Sequence, residues 1–438
     1  MKTLFKNAQV VTKEGISVKD VLVHDRVIEK IADSIDAKAD KEYDLTGKYL
    51  MPGAIDAHVH FRVPGYEKKE DWKTGSRAAL AGGVTTVFDM PNTKPHTTDL
   101  HALETKRDLI RKDTLINFGL FFGANLDNLD ELNKIKGVVG LKVYMGATTG
   151  QIIQEEDARI EALLEKLYSD HQYVVAVHAE NQTMIKKHTE TYKDEHDPKV
   201  HSLIRNDAVA YAAARTAVHL AKKYNGRLHI CHMSTKKELE LIAKYPDENI
   251  TCEATPHHLF LTVADYADQE NFVKVNPPLR SSKDQERLWD GIKGKQIDIV
   301  ATDHAPHLRE EKAQDYWDAP SGVPGVETML PLLLNAVNED MLELPDVVDL
   351  VCTRPAEIYG VKGKGEVREG YDADLVVVDL ALERRVEDSA LYTKCGWSPF
   401  SGRILKGWPV MTFVRGRLGM ENGKIVESDG LHGKEVEV

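Results

Sequence analysis

The feature that most constrains the fold is a regular alternation of short apolar β runs with helical patterns through the middle of the chain. Eight runs have the length and composition of buried strands: Ala54–Phe61, Thr85–Met90, Asn117–Gly123, Val138–Met145, Tyr173–His178, Arg227–His232, Ile250–Ala254 and Ile297–Thr302. Helical patterns lie between them, at Thr74–Ala81, Leu100–Arg111, Ala158–Asp170, Ala208–Lys223, Lys236–Lys244 and Lys283–Lys293. Eight such units within about 300 residues match a (β/α)8 TIM barrel. An open doubly wound sheet is the rival, and it is less favoured because no GxGxxG follows an early strand.

Both ends of the chain differ from this middle and are rich in β patterns. The first fifty residues contain Ala8–Thr12, Val18–Val23 and Val27–Ile31, with turn residues between them. From about Gly365 the pattern returns, and Asn422-Gly423 is a strong hairpin signal. We therefore predict an α/β protein. Its (β/α)8 barrel would span residues 52–364, and a small β-sandwich domain would form from residues 1–51 and 365–438.

Composition limits the location and partners of the protein. A net charge of −13 argues against nucleic acid as a general partner, although it does not exclude an anionic substrate. The four cysteines are far apart and form no CxxC pair, which predicts a reducing, cytoplasmic compartment. We find neither a signal peptide nor the roughly 20 apolar residues that cross a membrane.

Polar side chains cluster at the predicted carboxyl ends of the barrel strands, where barrel enzymes carry their chemistry. His58 and His60 lie two residues apart and so face the same side of a strand. Further candidates follow on other strands: Lys142, His178, His232 and Asp303. His257 and His258 are set aside, because two adjacent residues rarely face one site.

Each candidate alone has an ordinary structural explanation. A histidine such as His178 can be a hydrogen-bonded core residue, Lys142 can pair with a carboxylate such as Asp303, and Asp303 can cap a helix. Six such groups at one rim instead indicate divalent metal, and they exceed what one open zinc site needs. A lysine carboxylated on its side-chain nitrogen is an anion that can bridge two ions.

The motifs resemble the cyclic amidohydrolase branch of the amidohydrolase superfamily, and within it the dihydroorotase family. The resemblance covers nearly the whole chain. It rests on Asp56-Ala57-His58-Val59-His60-Phe61-Arg62-Val63-Pro64-Gly65, on Ala301-Thr302-Asp303-His304-Ala305-Pro306-His307 with Lys312 following, on Met90-Pro91-Asn92-Thr93 and on Val275-Asn276-Pro277-Pro278-Leu279-Arg280. Val63 departs from the acidic residue that many members have, but it is not a ligand position.

The resemblance implies a role for each matching residue. His58, His60 and Asp303 would hold one Zn²⁺, and His178 and His232 a second. Carboxylated Lys142 and a hydroxide would bridge the two ions. Asp303 would also transfer the proton during catalysis. Substrate contacts would come from Arg62, Asn92, Asn276 and His307. The implied reaction is reversible cyclisation of N-carbamoyl-L-aspartate to L-dihydroorotate plus water, in pyrimidine biosynthesis.

Other functions remain open from the sequence. Allantoinases and hydantoinases share the metal constellation but act on rings without the carboxylate, so Arg62 and Asn92 favour dihydroorotase. A non-catalytic scaffold relative is disfavoured because every expected ligand is present. Residues 308–321 are predicted to be a surface loop over the site, either a mobile lid or a plain connection. The family also implies a homodimer or association with aspartate transcarbamoylase.

Overall fold

The computed structural model describes residues 1–148, 157–170, 173–245, 249–426 and 428–438. The N-terminal strands are β1 (Lys2–Thr12), β2 (Gly15–His24), β3 (Val27–Ala32), β4 (Lys41–Asp44) and β5 (Tyr49–Pro52). The central strands are β6 (Ala54–Val59), β7 (Val84–Asp89), β8 (Asn117–Gly123), β9 (Gly140–Tyr144), β10 (Val175–His178), β11 (Leu228–Ile230), β12 (Ile250–Ala254) and β13 (Ile299–Val300). The C-terminal strands are β14 (Leu375–Arg385), β15 (Ile404–Val414), β16 (Arg417–Glu421) and β17 (Lys424–Ile425).

The eight central strands form the predicted barrel. Each pairs in parallel with the next along the chain, from β6 to β13. The ring closes where Val59 bridges His304, and the His60 amide donates to the His304 carbonyl at 2.8 Å. All strands run in one direction, so their carboxyl ends meet at a single rim.

Helices cover the outside of the barrel and fill its connections. They are α1 (Trp72–Ala81), α2 (Leu100–Asp113), α3 (Leu129–Leu132), α4 (Asp157–Asp170), α5 (Gln182–Thr191), α6 (Val200–Ile204), α7 (Asp207–Tyr224), α8 (Lys236–Ile242), α9 (Pro256–Phe260), α10 (Tyr266–Gln269), α11 (Ser282–Lys293), α12 (Arg309–Lys312), α13 (Met329–Asn338), α14 (Leu344–Val348) and α15 (Arg354–Ile358). The apolar sides of the long helices are buried against the strands, as the sequence periodicity predicts. Among the described residues, no helix has the length and apolar character needed to cross a bilayer.

Both chain ends build one separate mixed sheet, which confirms the predicted small β domain. Its strand order is β17-β16-β15-β14-β5-β1-β2-β3, and β4 pairs with β1. Side chains from N-terminal and C-terminal strands share one buried core, including Phe5, Val23, Leu375 and Phe413. The domain boundaries at residues 51 and 364 stay a proposal.

The last residues of the chain leave this sheet and contact the amino-terminal end of the barrel. Glu435 bridges Phe118 of β8, and its carboxylate pairs with Arg107 at 2.6 Å. Val436 is buried with Tyr359 and with inward-facing barrel residues such as Phe88. The floor of the barrel is therefore closed by side chains that lie far apart in the sequence.

A single glycine joins the small sheet to the barrel. Gly53 separates β5 from β6, and its amide donates to the Asp374 carbonyl at 2.8 Å. A Cβ at this position would lie 2.2 Å from the side chain of Thr85, closer than atoms can approach. Only glycine therefore fits this junction.

Candidate active site

The predicted metal ligands meet at the carboxyl rim of the barrel. His58 lies in β6, Lys142 in β9 and His178 at the end of β10. His60, His232 and Asp303 follow β6, β11 and β13 within three residues. All six line one cavity. Of the four predicted substrate-binding residues, Arg62, Asn92 and Asn276 line the same cavity, and His307 contacts Arg62.

His58, His60 and Asp303 form the first half of the cluster. Asp303 Oδ1 lies 2.9 Å from His60 Nε2 and 3.3 Å from His58 Nε2. Donors bound tetrahedrally to zinc at about 2.0–2.1 Å lie about 3.4 Å apart, close to these separations. The geometry of this half therefore fits a divalent metal.

His178 and His232 form the second half. Their Nδ1 and Nε2 atoms lie 3.0 Å apart, and both rings are buried. Burial holds the pKa of each ring below its ordinary value, so both are neutral imidazoles at pH 7. Two ring nitrogens this close either share a proton or face a common cation, and neutral imidazole is a good metal ligand.

Lys142 lies between the two halves and has no exposed surface. Its Nζ donates to Cys231 Sγ at 2.9 Å and lies 5.3 Å from the ring centre of Tyr144. Within the described part of the chain it makes no ion pair with a carboxylate. The alternative explanation, an ammonium paired with Asp303, is therefore absent there.

In each half, a buried glutamate lies against one ring nitrogen of a histidine. His58 Nδ1 lies 2.5 Å from Glu253 Oε1, and His178 Nε2 lies 3.0 Å from Glu180 Oε2. Such carboxylates fix the tautomer and orientation of a ligating imidazole. Glu253 also contacts His229 at 3.1 Å, whereas Glu180 pairs with Arg205 at 2.8 Å.

In the first half, burial and neighbouring groups shift the pKa of His58, His60 and Asp303. Burial opposes protonation of His58, but Glu253 raises the pKa of that ring to about 10. Burial also lowers the pKa of His60 to about 4. For Asp303 burial acts the other way, yet the neighbouring His58 and His60 hold its pKa well below the usual range. Asp303 is thus an ionised carboxylate at neutral pH.

Three residues of the site hold their side chains on left-handed backbone. The φ angles are +67° at Arg62, +38° at His232 and +48° at Asp303. Non-glycine residues avoid this region, and such residues concentrate where a fold places side chains for function. The backbone strain thus independently marks the same rim.

The remaining predicted residues surround the mouth of the cavity. Arg62 Nε donates to the Pro306 carbonyl at 3.2 Å, and its Nη2 lies 3.1 Å from His307 Nε2. Asn92 Oδ1 accepts from His60 Nδ1 at 2.6 Å. Asn276 Oδ1 accepts from His201 Nε2 at 2.8 Å. Since the Asn276 oxygen is engaged, its amide nitrogen is the group that remains to donate into the cavity.

The loop predicted over the site, residues 308–321, begins with α12 and reaches the cavity at Ser321. It is tied to the fold by Lys312, whose buried Nζ donates to the carbonyls of Lys274, Pro320 and Gly322 at 2.9–3.0 Å. Its end beside the site is therefore firmly held, and motion of the loop as a lid stays a prediction.

Sequence reasoning missed several residues of the site. Glu253 gave a signal, because a charge inside the apolar run Ile250–Ala254 needs a partner just as Lys142 does. Tyr144 and Thr148 line the cavity, but neither residue type stands out in its segment. Setting aside His258 agrees with the structure, where it bonds to Thr255 and to the Pro277 carbonyl.

Comparison with known proteins assigns this fold and rim to a family. Residues 49–426 match the amidohydrolase family. The chain is 37% identical to a dihydroorotase from Methanosarcina acetivorans, over 99% of this chain and 97% of that protein. It is 38% identical to a dihydroorotase from Halobacterium salinarum, over 94% and 96%. An L-hydantoinase (dihydropyrimidinase) from Arthrobacter aurescens superimposes with a TM-score of 0.95 at 32% identity, covering 100% of this chain and 99% of that one. The chain therefore belongs to the amidohydrolase family.

Proposed function

We propose that this enzyme is a dihydroorotase, which interconverts N-carbamoyl-L-aspartate with L-dihydroorotate and water in pyrimidine biosynthesis. The observation that carries the proposal is the position of Arg62 and His307, 3.1 Å apart, beside the metal-ligand cluster. A buried guanidinium is suited to bind a carboxylate, which dihydroorotate has and plain hydantoin rings lack. The sequence similarity to proteins named dihydroorotase supports the same choice.

The donor set suits two zinc ions, the metal that histidine and carboxylate donors favour. His58, His60 and Asp303 would hold one ion, and His178 and His232 the other. Lys142, as its N6-carboxylated form, would bridge them together with a hydroxide. Bound ions of this kind lower the pKa of water and polarise a carbonyl. The buried position of Lys142 in the same cavity as the candidate ligands supports this bridging role.

The side chains of the site supply binding and proton transfer. In the hydrolytic direction water adds to the ring amide carbon and the carbon–nitrogen bond breaks. Asp303 takes the proton from the attacking water and passes it to the leaving nitrogen. Arg62, Asn92 and His307 bind the substrate carboxylate, and Asn276 donates to a ring carbonyl. Cyclisation reverses these steps.

A hydantoinase-type cyclic ureide hydrolase, or an allantoinase, is the second candidate. The structural likeness to an L-hydantoinase is the observation that favours a hydrolase of this kind. Both candidates use the same metal ligands, so the carboxylate-binding residues separate them.

The experiment assays purified enzyme with dihydroorotate, N-carbamoyl-L-aspartate, allantoin and hydantoin, alongside metal analysis. We expect about two zinc ions per chain and turnover of the first two compounds. Arg62→Ala should raise KM for dihydroorotate strongly and leave metal content unchanged. Faster turnover of hydantoin or allantoin would replace this assignment with the second candidate, and an inactive, metal-free protein would indicate a scaffold.

We also propose a cytoplasmic location and a homodimer or an association with aspartate transcarbamoylase. The four cysteines are free and buried, which fits a reducing compartment. Light scattering on the purified enzyme, alone and mixed with aspartate transcarbamoylase, tests the assembly. A monomeric mass in both samples would reject it.

A further inference from the structure

Lys69 is a partly buried cation on the segment between β6 and α1, and it contacts His307. Its Nζ lies 2.9 Å from His307 Nδ1, while Arg62 Nη2 lies 3.1 Å from the other ring nitrogen, Nε2. Glu311 holds the lysine in place through an ion pair of 2.9 Å. The imidazole is thus enclosed by charged groups and has no exposed surface.

The contact with Lys69 determines which ring nitrogen carries the proton. An ammonium has three donors and no acceptor, so Nδ1 of His307 must accept its hydrogen bond. A neutral imidazole with an accepting Nδ1 carries its proton on Nε2. That N–H has an acceptor in the Ser321 carbonyl, 3.1 Å away.

A proton on Nε2 means that the contact between His307 and Arg62 is not a hydrogen bond. A guanidinium is also only a donor, so Arg62 Nη2 and His307 Nε2 cannot bond to each other. Both donors are satisfied by an anion in the cavity that accepts from Arg62 and shares the Nε2–H proton of His307 with the carbonyl of Ser321, which also lines the cavity.

We propose that Lys69 is a positioning residue for substrate specificity, which fixes His307 as an Nε2–H donor so that it binds a ring carboxylate together with Arg62. This inference rests on the proposed dihydroorotase function. Lys69 itself does not touch the substrate; it acts through His307.

Removing the ammonium would favour the opposite tautomer. Glu311 Oε2 lies 3.6 Å from His307 Nδ1, too far for a hydrogen bond while Lys69 is present. Without the lysine, this carboxylate becomes the nearest acceptor for a proton on Nδ1. Nε2 would then present a lone pair to the substrate carboxylate and repel it.

The test compares Lys69→Met, Lys69→Arg and the control Lys68→Met, which changes an exposed neighbour. For Lys69→Met we expect KM for dihydroorotate to rise roughly 10-fold or more, the loss of one charge-assisted hydrogen bond. We expect kcat and metal content to stay close to those of the parent enzyme. Lys69→Arg should recover most of the loss, and Lys68→Met should match the parent.

Nitrogen-15 NMR of histidine-labelled enzyme gives a readout that is independent of turnover. The His307 signal is assigned as the one missing from His307→Gln. We expect Nε2 to be protonated in the parent and Nδ1 in Lys69→Met. An Nδ1-protonated ring in the parent, or an unchanged KM in Lys69→Met, would overturn the proposal. If the parent does not use dihydroorotate, the proposed function fails, while the NMR result still decides the tautomer.

Discussion

The two halves of the candidate metal-ligand cluster each place a glutamate against a histidine, but the pKa of that histidine shifts in opposite directions. Burial disfavours the charged form of both rings, yet Glu253 raises the pKa of His58 whereas the pKa of His178 stays lowered. The two glutamates differ in the groups that they contact on the side away from the histidine. Glu180 is paired with the guanidinium of Arg205, whereas the described partners of the Glu253 carboxylate are His58, His229 and the backbone amide of His232. Burial is the largest cause that lowers the pKa of His178, and the Arg205 cation behind Glu180 lowers it further.

The largest expected effect comes from removing the residue between the halves. Lys142→Ala should reduce activity on the order of 10³-fold and release metal, because both halves would lose the ligand that we propose they share. Steady-state assays and metal analysis measure this. Propionate should restore part of the activity, while an equal concentration of chloride should not. Full activity without any added acid would show that the halves work without a bridge.

The second prediction concerns the half that contains Arg205. Glu180→Gln leaves that guanidinium buried without a counter-charge, which should lower the free energy of unfolding by about 3–5 kcal/mol. Urea denaturation measures the change, and Glu190→Gln, on the exposed face of α5, is the control. A loss comparable to that control would mean that Arg205 has another source of compensation.

In the half that contains His58, we expect substitution of the supporting glutamate to change metal affinity. Glu253→Gln removes the carboxylate behind His58, and zinc affinity should fall about 10–100-fold. Competition with a fluorescent chelator gives the affinity. Glu238→Gln is the matched control, because Glu238 is equally buried but bonds to Thr235 and Ser234 around the start of α8. Equal affinities in both variants would contradict the supporting role of Glu253.

The smallest expected effect concerns Glu327, a half-buried carboxyl with no cation partner among the residues that the structure describes. Burial raises the pKa of Glu327 to about 8, whereas Arg205 and His178 overcome burial and lower the pKa of Glu180 to about 2. For Glu327 the folded state holds its proton at a pH where the unfolded chain has lost it. Stability due to this group is therefore present below about pH 4.5 and falls as the pH rises to about 8.

Glu327→Gln should remove that dependence, which amounts to about 1.4 kcal/mol per pH unit near neutrality. Urea titrations at pH 6 and pH 7 measure it, with the exposed Glu339→Gln as control. The same slope in the parent and in Glu327→Gln would show that the carboxyl is already ionised in the folded protein.

The barrel, the small β domain and the clustering of the ligands could all be predicted because each depends on local pattern. Parallel strands bring their carboxyl ends together, so a histidine or lysine placed there identifies the rim without knowledge of tertiary contacts. Glu253 could have been predicted by the reasoning applied to Lys142. Arg205 and Lys69 could not, because each is an ordinary cation in a polar segment until the fold brings it to a carboxylate or an imidazole. Val436 could not have been predicted either, because it is one of a few scattered apolar residues in a polar tail.

The junction at Gly53 has a mechanical consequence. Strand β5 is held on both sides, by β1 and β14, and one residue later the same backbone becomes β6, which carries His58 and His60. Because only one residue connects the two strands, we expect a displacement of the small sheet to move the backbone that carries the two histidines. Substitutions that loosen the pairing of β5 with β14 should thus alter the stiffness of a catalytic centre that they do not touch.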